Sequence, residues 1–306
     1  MKKENISVCI PTYRRPQLLK RLLEALKQQQ TFGEFTFSVV VVDNDKERSA
    51  YEVVRRLGGK RFQISYENEP VQNIALARNR AVLCSKGEFV AFIDDDEFPQ
   101  KYWLHTHYQM IKETGADGVL GPVIPYFESG APQWLEKSGI CMRPSFPSGT
   151  LLKPSQTRTG NVLFNRRVFT GTGLLFDQSY GLTGGEDTDF FRRAVNCGLK
   201  FVWCQEASVF ETVPVDRWSR RYYVKRALLR GRVKHYAYSS KSRIERIGAL
   251  FKSIVAFTAY TVSLPVVLPM GERIRMRIFD SYFHHAGMLS AAVGVKINDR
   301  REKGGI

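Results

Sequence analysis

Short apolar runs alternate with amphipathic stretches along the first hundred residues. "ISVCI", residues 6 to 10, carries no charge and is closed by Pro11 and Thr12, which predicts a buried strand. Leucines at 18, 19, 22, 23 and 26 follow at helical spacing. "FTFSVVVVD" predicts a second strand, apolar on both faces, "SAYEVVRRL" a helix and "FQISYENE" a third strand. "NIALARNRAVLCSKG" predicts a helix closed by Gly87, and "EFVAFI" a fourth strand. Solidly apolar strands separated by helices indicate an α/β fold, with a mostly parallel central sheet flanked by helices.

Beyond residue 122 the pattern loosens. "GPVIPYFESGAPQW" is rich in turn formers and aromatics, and "RTGNVLFNRRVF" predicts a strand followed by a short helix. In "FDQSYGLTGGEDTDFFRRAVNCG", Gly184 and Gly185 lead into a helix that Asp187 begins. Phe190, Phe191, Ala194 and Val195 form its apolar face and Gly198 ends it. "LKFVWCQEASVFE" predicts a final strand or two. Between Arg217 and Arg246 the only acid is Glu245, against Lys or Arg at 217, 220, 221, 225, 226, 230, 232, 234, 241, 243 and 246. An uncharged run from Ser253 to Gly271 follows, then arginines at 273, 275 and 277 and a second uncharged stretch. The run is borderline in length for a membrane span, and Pro265 and Pro269 weaken a straight helix there.

Mostly parallel sheets bind ligands beyond the carboxyl ends of their strands. Here those ends carry "PTYRR", "DND", "ENEP" and "DDDE". No G-x-G-x-x-G or Walker lysine loop is present, so an anion is expected to be held through a metal and selected basic groups. Asp94, Asp95, Asp96 and Glu97 end an apolar strand. Asp94 and Asp96 point to one side if strand geometry continues, and paired carboxylates suit Mg²⁺ or Mn²⁺. The competing reading is a solvated strand end. Asp43, after "VVVV", either accepts hydrogen bonds from a base or ribose or makes an Asx turn. In Glu186, Asp187 and Asp189, one carboxylate could take the proton of an attacking hydroxyl. Equally, Asp187 is a good N-cap. Arg78, in "ALARNR", could reach a diphosphate or simply pack. The five histidines show no ligand or triad spacing, and no G-x-S-x-G is present, which argues against a serine hydrolase.

The chain has 306 residues, 43% hydrophobic, enough for a large α/β domain with an appendage. Its net charge of +16 calls for an anionic partner: nucleic acid, a phospholipid surface or a phosphorylated substrate. Five cysteines with no C-x-x-C suggest reduced structural thiols and no zinc site. No long apolar stretch precedes the first strand, so no secretory leader is expected.

"VCIPTYRRPQLLKRLLEAL", "VVVVDND", "IALARNRA", "FVAFIDDDE" and "GGEDTDFFRR" occur in the order seen in family 2 glycosyltransferases. The chain resembles especially the bacterial enzymes that build exopolysaccharide, such as the succinoglycan-type glucosyltransferases, over roughly residues 5 to 215. The resemblance implies a GT-A fold, a nucleotide-diphosphate sugar donor, a divalent metal (Mg²⁺ or Mn²⁺) and inversion at the anomeric carbon. Carried over by position, Pro11, Tyr13 and Asp43 line the nucleotide pocket, and Arg78 lies near the uracil or diphosphate. Asp94 to Asp96 match the D-x-D motif, with Asp94 and Asp95 on the donor side and Asp96, with Asp94, on the metal. Asp187 matches the catalytic base and Glu186 sits beside it. Thr159, Gly160 and Asn161 match a loop that shapes the sugar site. The halves expected are residues 1–121 for the nucleotide sugar and 122–215 for the acceptor, followed by a basic, helical extension, 216–306.

One motif departs. "VDRWSRR" has Arg217 and Trp218 but no glutamine three residues before the arginine, so the Q-x-x-R-W signature of processive synthases is missing and one sugar per encounter is expected. The implied reaction moves a hexose such as glucose from a UDP-sugar to a polyprenyl-diphosphate-linked glycan. The extension, with Arg217, Arg220, Arg221, Lys225, Arg226 and Arg230, is expected to face an anionic membrane surface on the cytoplasmic leaflet, the catalytic part staying in the cytosol. The alternative is a basic helical bundle that pairs two copies through its apolar run. Two other classes compete: a nucleic-acid binder, disfavoured by carboxylate-lined strand ends, and a sugar nucleotidylyltransferase, disfavoured because "PTYRRP" has no glycine-rich loop.

Overall fold

Each apolar run of the first hundred residues forms a strand. The computed structural model describes residues 3–59, 62–181, 184–238 and 241–295; residues 296–306 of the expected extension lie outside it. The chain runs β1 (Glu4–Thr12), α1 (Pro16–Leu26), β2 (Phe35–Asp43), α2 (Tyr51–Leu57), β3 (Ile64–Asn68), α3 (Ile74–Cys84) and β4 (Phe89–Ile93). It continues through β5 (Glu97–Pro99), α4 (Trp103–Thr114), β6 (Gly118–Leu120), β7 (Val123–Tyr126) and α5 (Gln133–Ser138). Next come β8 (Asn161–Asn165), α6 (Arg167–Thr170), α7 (Glu186–Asn196), β9 (Phe201–Trp203) and β10 (Val209–Thr212). Three helices complete it: α8 (Arg220–Ala237), α9 (Arg243–Val267) and α10 (Glu272–Ala292).

Two compact units result. The first joins Met1–Tyr126 to Arg143–Thr212. Its main sheet has the order β3-β2-β1-β4-β8-β6-β9. The first four strands are parallel, while β8 runs antiparallel to both β4 and β6. A second, three-stranded sheet has the order β5-β10-β7. Side chains alternate across the main sheet, which is why its strands read as unbroken apolar runs. Val8, Ile10, Val39, Val41 and Ala91 pack with the leucines of α1 and with Trp103, Leu104 and Ile111 of α4. Cys9, Val40, Val42, Val90 and Phe92 pack with Ala77 and Ala81 of α3 and Phe190, Phe191 and Ala194 of α7.

Two local expectations change. Helix α3 ends at Cys84 with Ser85 as its C-cap, so Gly87 does not close it. A Cβ on Gly87 would lie 2.5 Å from the Asn5 carbonyl oxygen and 2.7 Å from Ser7 N, so glycine is required there by the close approach of β1. Helix α7 starts one residue earlier than expected. Its N-cap is Gly185 at φ 101°, a left-handed conformation that suits glycine, and Asp187 lies in the first turn.

The second unit comprises Phe127–Met142 and the chain from Val213 onward. Leu135, Val213, Tyr223 and Met276 form its core, with Trp134, Trp218 and Phe279 packed against them. Helices α8 and α10 cross at two glycines. A Cβ on Gly231 would lie 1.9 Å from the His284 carbonyl oxygen, and one on Gly287 would lie 2.0 Å from that of Leu228. Only residues without a side chain let two helix backbones approach so closely. Helix α9 starts at a capping box between Ser242 and Glu245 and runs through Pro265 to Val267. The uncharged run from Ser253 is therefore the second half of a longer helix, followed by the turn before α10. Among the described residues α9 is the one helix long and apolar enough to cross a membrane.

Candidate active site

The carboxyl ends of β1, β2 and β4 and the start of β8 converge in register. Thr12 pairs with Asp43 across β1 and β2, and Ile93 pairs with Asn161 across β4 and β8. Asp94 leaves β4 where Gly160 enters β8. The acid cluster therefore grows from a strand buried on both faces, and two arginines divide it.

Arg78 comes from α3 and is almost fully buried. Its Nη1 donates to Glu186 at the start of α7, and its Nη2 donates to Asp94 Oδ1 at 3.4 Å. Burial works against the guanidinium charge, but the fields of Asp94, Glu186 and Asp187 outweigh it and raise its pKa. One buried cation thus brings the two acidic motifs together, and with them the expected metal ligand Asp94 and the expected base Asp187. The ring of Phe176 lies 5.7 Å from the guanidinium.

Arg15 precedes α1. Its Nη1 donates to Asp95 Oδ1 at 3.1 Å and to Asp96 Oδ2 at 2.9 Å. Thr12 donates its hydroxyl to Asp95 Oδ2 at 2.8 Å, so Asp95 is held from two sides. Burial raises the Asp95 pKa, against the pull of Arg15 and Thr12. Burial, joined by repulsion from Asp94 and Asp95, pushes Asp96 up to about 7. Buried Glu97 is raised well above the usual carboxylate range by burial and by Asp94 and Asp96. It accepts from Asp94 N at 3.2 Å. Across the small sheet its register partner is Glu211, which pairs with Arg143.

Gly160 forms one wall. A Cβ there would lie 2.6 Å from Glu97 Oε1 and 3.0 Å from Asp94 Oδ2. Thr159 beside it is buried. Asn161 is spent on the interior: its Oδ1 accepts from Trp103 Nε1 at 2.8 Å and meets His107 Nε2 at 2.8 Å. Its Nδ2 donates to the carbonyl oxygens of Pro122 and Ala207. It shapes the site as a brace, not as a ligand. Asp43 is likewise engaged, accepting from Ala50 N, Asp45 N and the Tyr66 hydroxyl. Its contribution at the strand end is to order the "DND" loop, where Asp45 takes both arms of Arg14. Pro11 is buried one residue before the end of β1, and the half-buried Tyr13 ring has Arg14 5.2 Å from its centre.

Asp187 accepts from Thr188 N at 2.7 Å within its own helix turn and is half-buried. Asp189 is taken by Arg192 and Arg193 one turn later, and these arginines hold its carboxyl below the usual range despite burial. Of the acids in "EDTD", Glu186 and Asp189 are thus each held in ion pairs with arginine. Glu97 was seen as part of the acidic run but given no role, and Arg15, Arg143 and Glu211 were missed as site residues. The double arginine after the first strand was the only sequence signal for those three.

Among the described residues no three His, Cys, Asp or Glu side chains form a closed metal cage. Asp94 and Asp96 instead offer an oxygen-only, partial set, with Asp94 39% exposed. Such a set fits a hard divalent cation that completes its shell with water and phosphate oxygens.

In the second unit, Arg221, Lys225 and Arg226 are exposed. Arg220 pairs with Glu272 and Arg230 with Asp280, so at least two of the six cations expected to face a membrane also have acidic partners inside their own unit. Along α9, Ile244, Ile247, Phe251, Val255, Val262 and Val266 are each more than half exposed, at helical spacing.

Residues 7–180 match the family model described as glycosyl transferase family 2. Succinoglycan biosynthesis protein ExoM of Rhizobium meliloti (strain 1021) is 32% identical over 297 residues, 95% of this chain and 93% of that protein. Among solved structures, the mannosyltransferase PcManGT from Pyrobaculum calidifontis, in complex with GDP-Man and Mn²⁺, aligns with a TM-score of 0.62 at 16% identity. The alignment covers 95% of this chain and 88% of that one. S. aureus TarS 1–349 in complex with UDP-GlcNAc aligns at 0.54 and 18% identity, over 96% and 92%. At such identities the likeness carries the fold, which is GT-A.

Proposed function

The chain belongs to glycosyl transferase family 2, and on that premise we propose that it is an inverting, metal-dependent hexosyltransferase of cell-surface polysaccharide biosynthesis. The donor is a UDP-sugar, with glucose the expected hexose, and the acceptor a polyprenyl-diphosphate-linked glycan. The observation that supports this reading is the Arg78 bridge, which joins Asp94 of the D-x-D run to Glu186 at the start of the "EDTD" helix.

Asp187 takes the proton of the acceptor hydroxyl as that oxygen attacks the anomeric carbon. Glu186, pinned by Arg78, fixes the helix turn that carries Asp187 and contacts the sugars. Pro11, Tyr13 and the ordered "DND" loop around Asp43 line the nucleotide side. Gly160, with Thr159 and Asn161 behind it, leaves room for the sugar beside Asp94 and Glu97. Asp94 and Asp96 would hold Mg²⁺ or Mn²⁺, which when bound supplies positive charge for the departing diphosphate. Holding both reactants in line accounts for much of the acceleration. The relatives bound to UDP-GlcNAc or to GDP-Man and Mn²⁺ support a nucleotide-sugar donor and a divalent ion.

The C-terminal unit is the membrane contact in this reading, on the cytoplasmic leaflet where a polyprenyl-linked acceptor would be met. Its exposed cations and the bare apolar face of α9 support it over a nucleic-acid role, because a duplex offers no apolar layer. The test is a panel of nucleotide sugars offered with Mg²⁺ or Mn²⁺, reading nucleotide release and thermal shift together. Release with one UDP-sugar, dependent on the ion, is expected. No release and no shift with any sugar nucleotide overturns the proposal.

A further inference from the structure

Arg15 occupies a position that a cation site has reason to avoid. Its single Nη1 bridges Asp95 and Asp96, at 3.1 and 2.9 Å. Asp95 is tied down from its other oxygen by Thr12, so the bridge is anchored at one end. At the other end it lies on Asp96, one of the two carboxylates assigned above to the divalent ion. A guanidinium and a divalent cation drawn to one carboxylate repel each other, and low solvent access strengthens that repulsion.

The second arginine of the cluster differs. Arg78 keeps 7% of its side chain exposed and is locked on Glu186 and Asp94. Arg15 keeps 24% exposed and reaches the cluster from the residue before α1, so it has room to turn outward. A diphosphate entering beyond the strand ends would bring negative oxygens that satisfy both the incoming cation and the displaced guanidinium.

We propose that Arg15 makes divalent-cation binding at Asp94 and Asp96 conditional on a nucleoside diphosphate. With no nucleotide present it is the counter-cation of the cluster and keeps a bare ion out. With the diphosphate present it exchanges Asp96 for phosphate oxygens, and the ion takes its place. By linkage, the same residue makes the nucleotide bind more tightly when the ion is present, by the same factor. Arg15 is thus a positioning residue that sets the order of assembly. The inference rests on the metal reading of the proposed function.

The test is a Mn²⁺ titration of the full-length protein, followed by the spin-resonance signal of the free ion, with and without UDP. Wild type, R15M, R15Q and R15K are compared, each checked by thermal melting. Removing the charge should tighten binding of Mn²⁺ alone by about tenfold or more, and shrink the enhancement by UDP to match. R15K keeps the charge and should behave as wild type. If folded R15M and R15Q bind Mn²⁺ alone no more tightly than wild type, Arg15 is only a structural brace and the inference is overturned. If wild type binds no Mn²⁺ even with UDP, the metal reading fails, and this inference with it.

Discussion

Arg78 of α3 donates a hydrogen bond to Glu186 of α7, and the two side chains keep only 7% and 8% of their surface exposed. Breaking a buried pair from one side strands the other charge. R78M should therefore lower unfolding free energy by about 3 kcal/mol, read by urea denaturation, and lose UDP binding. The double variant R78M/E186Q should recover part of the stability and none of the binding.

D187N should abolish transfer while leaving ion-dependent UDP binding intact. Gly185 holds the N-cap position, and the bond Asp187 accepts in the first turn, from Thr188 N, can be accepted equally by the Oδ1 of asparagine. Its melting temperature should stay within a few degrees of wild type. Equal loss of transfer and UDP binding would assign Asp187 to structure.

G160A tests the wall beside the carboxylates. The added methyl would press on Glu97 Oε1 and Asp94 Oδ2, both side-chain ends that can move aside. UDP affinity in the presence of Mn²⁺, measured calorimetrically, should fall by about tenfold, the order of a modest overpacking cost. Gly160 is not in a left-handed conformation, so the backbone itself tolerates alanine.

His107 predicts an acid-sensitive fold. Burial lowers its pKa from 6.5 to about 4. Below 6.5 the unfolded chain takes up a proton that the folded chain refuses, so stability falls with pH through that window. The full loss is about 3 kcal/mol near pH 4, of which about 2 kcal/mol has gone by pH 5. Urea unfolding of wild type and H107N at pH 7.5 and pH 5 should show a smaller pH-dependent loss for the variant.

Membrane attachment is best probed on α9. Deleting the chain from Arg217 would remove Tyr223 and Met276, which share a core with Leu135, and so confuse release with unfolding. F251E and V262E act at positions 66% and 73% exposed, where folding is insensitive. Each should reduce sedimentation with anionic vesicles, and the pair should abolish it. Retention of the pair on vesicles would remove α9 from the interface.

The parallel half was legible because β1, β2 and β4 are apolar on both faces, a pattern that survives without knowledge of their neighbours. The helix Trp103–Thr114 and the strands β5 to β7 were not read, since their segments are short or mixed and take their form from long-range pairing. The order β4-β8-β6 was beyond reach for the same reason: nothing in "NVLFN" says that it inserts antiparallel between two earlier strands. The acid clusters were visible as residue types. Their partners were not, because the pairing of Arg15 with Asp96 or Arg78 with Glu186 exists only once the strand ends are assembled.

The rung in which Ile93 faces Asn161 does more than place Asp94 beside Gly160. A slip of one residue along β8 would turn its side chains to the opposite faces and bring the larger Thr159 or Asn161 to the place where a Cβ already crowds Glu97 and Asp94. The carboxylates could not then seat. A chain that folds with this ladder out of step would be compact and yet blind to nucleotide. On the proposed function, UDP binding would therefore report on strand register itself, and during refolding it would separate correctly threaded molecules from compact impostors that circular dichroism would count as native.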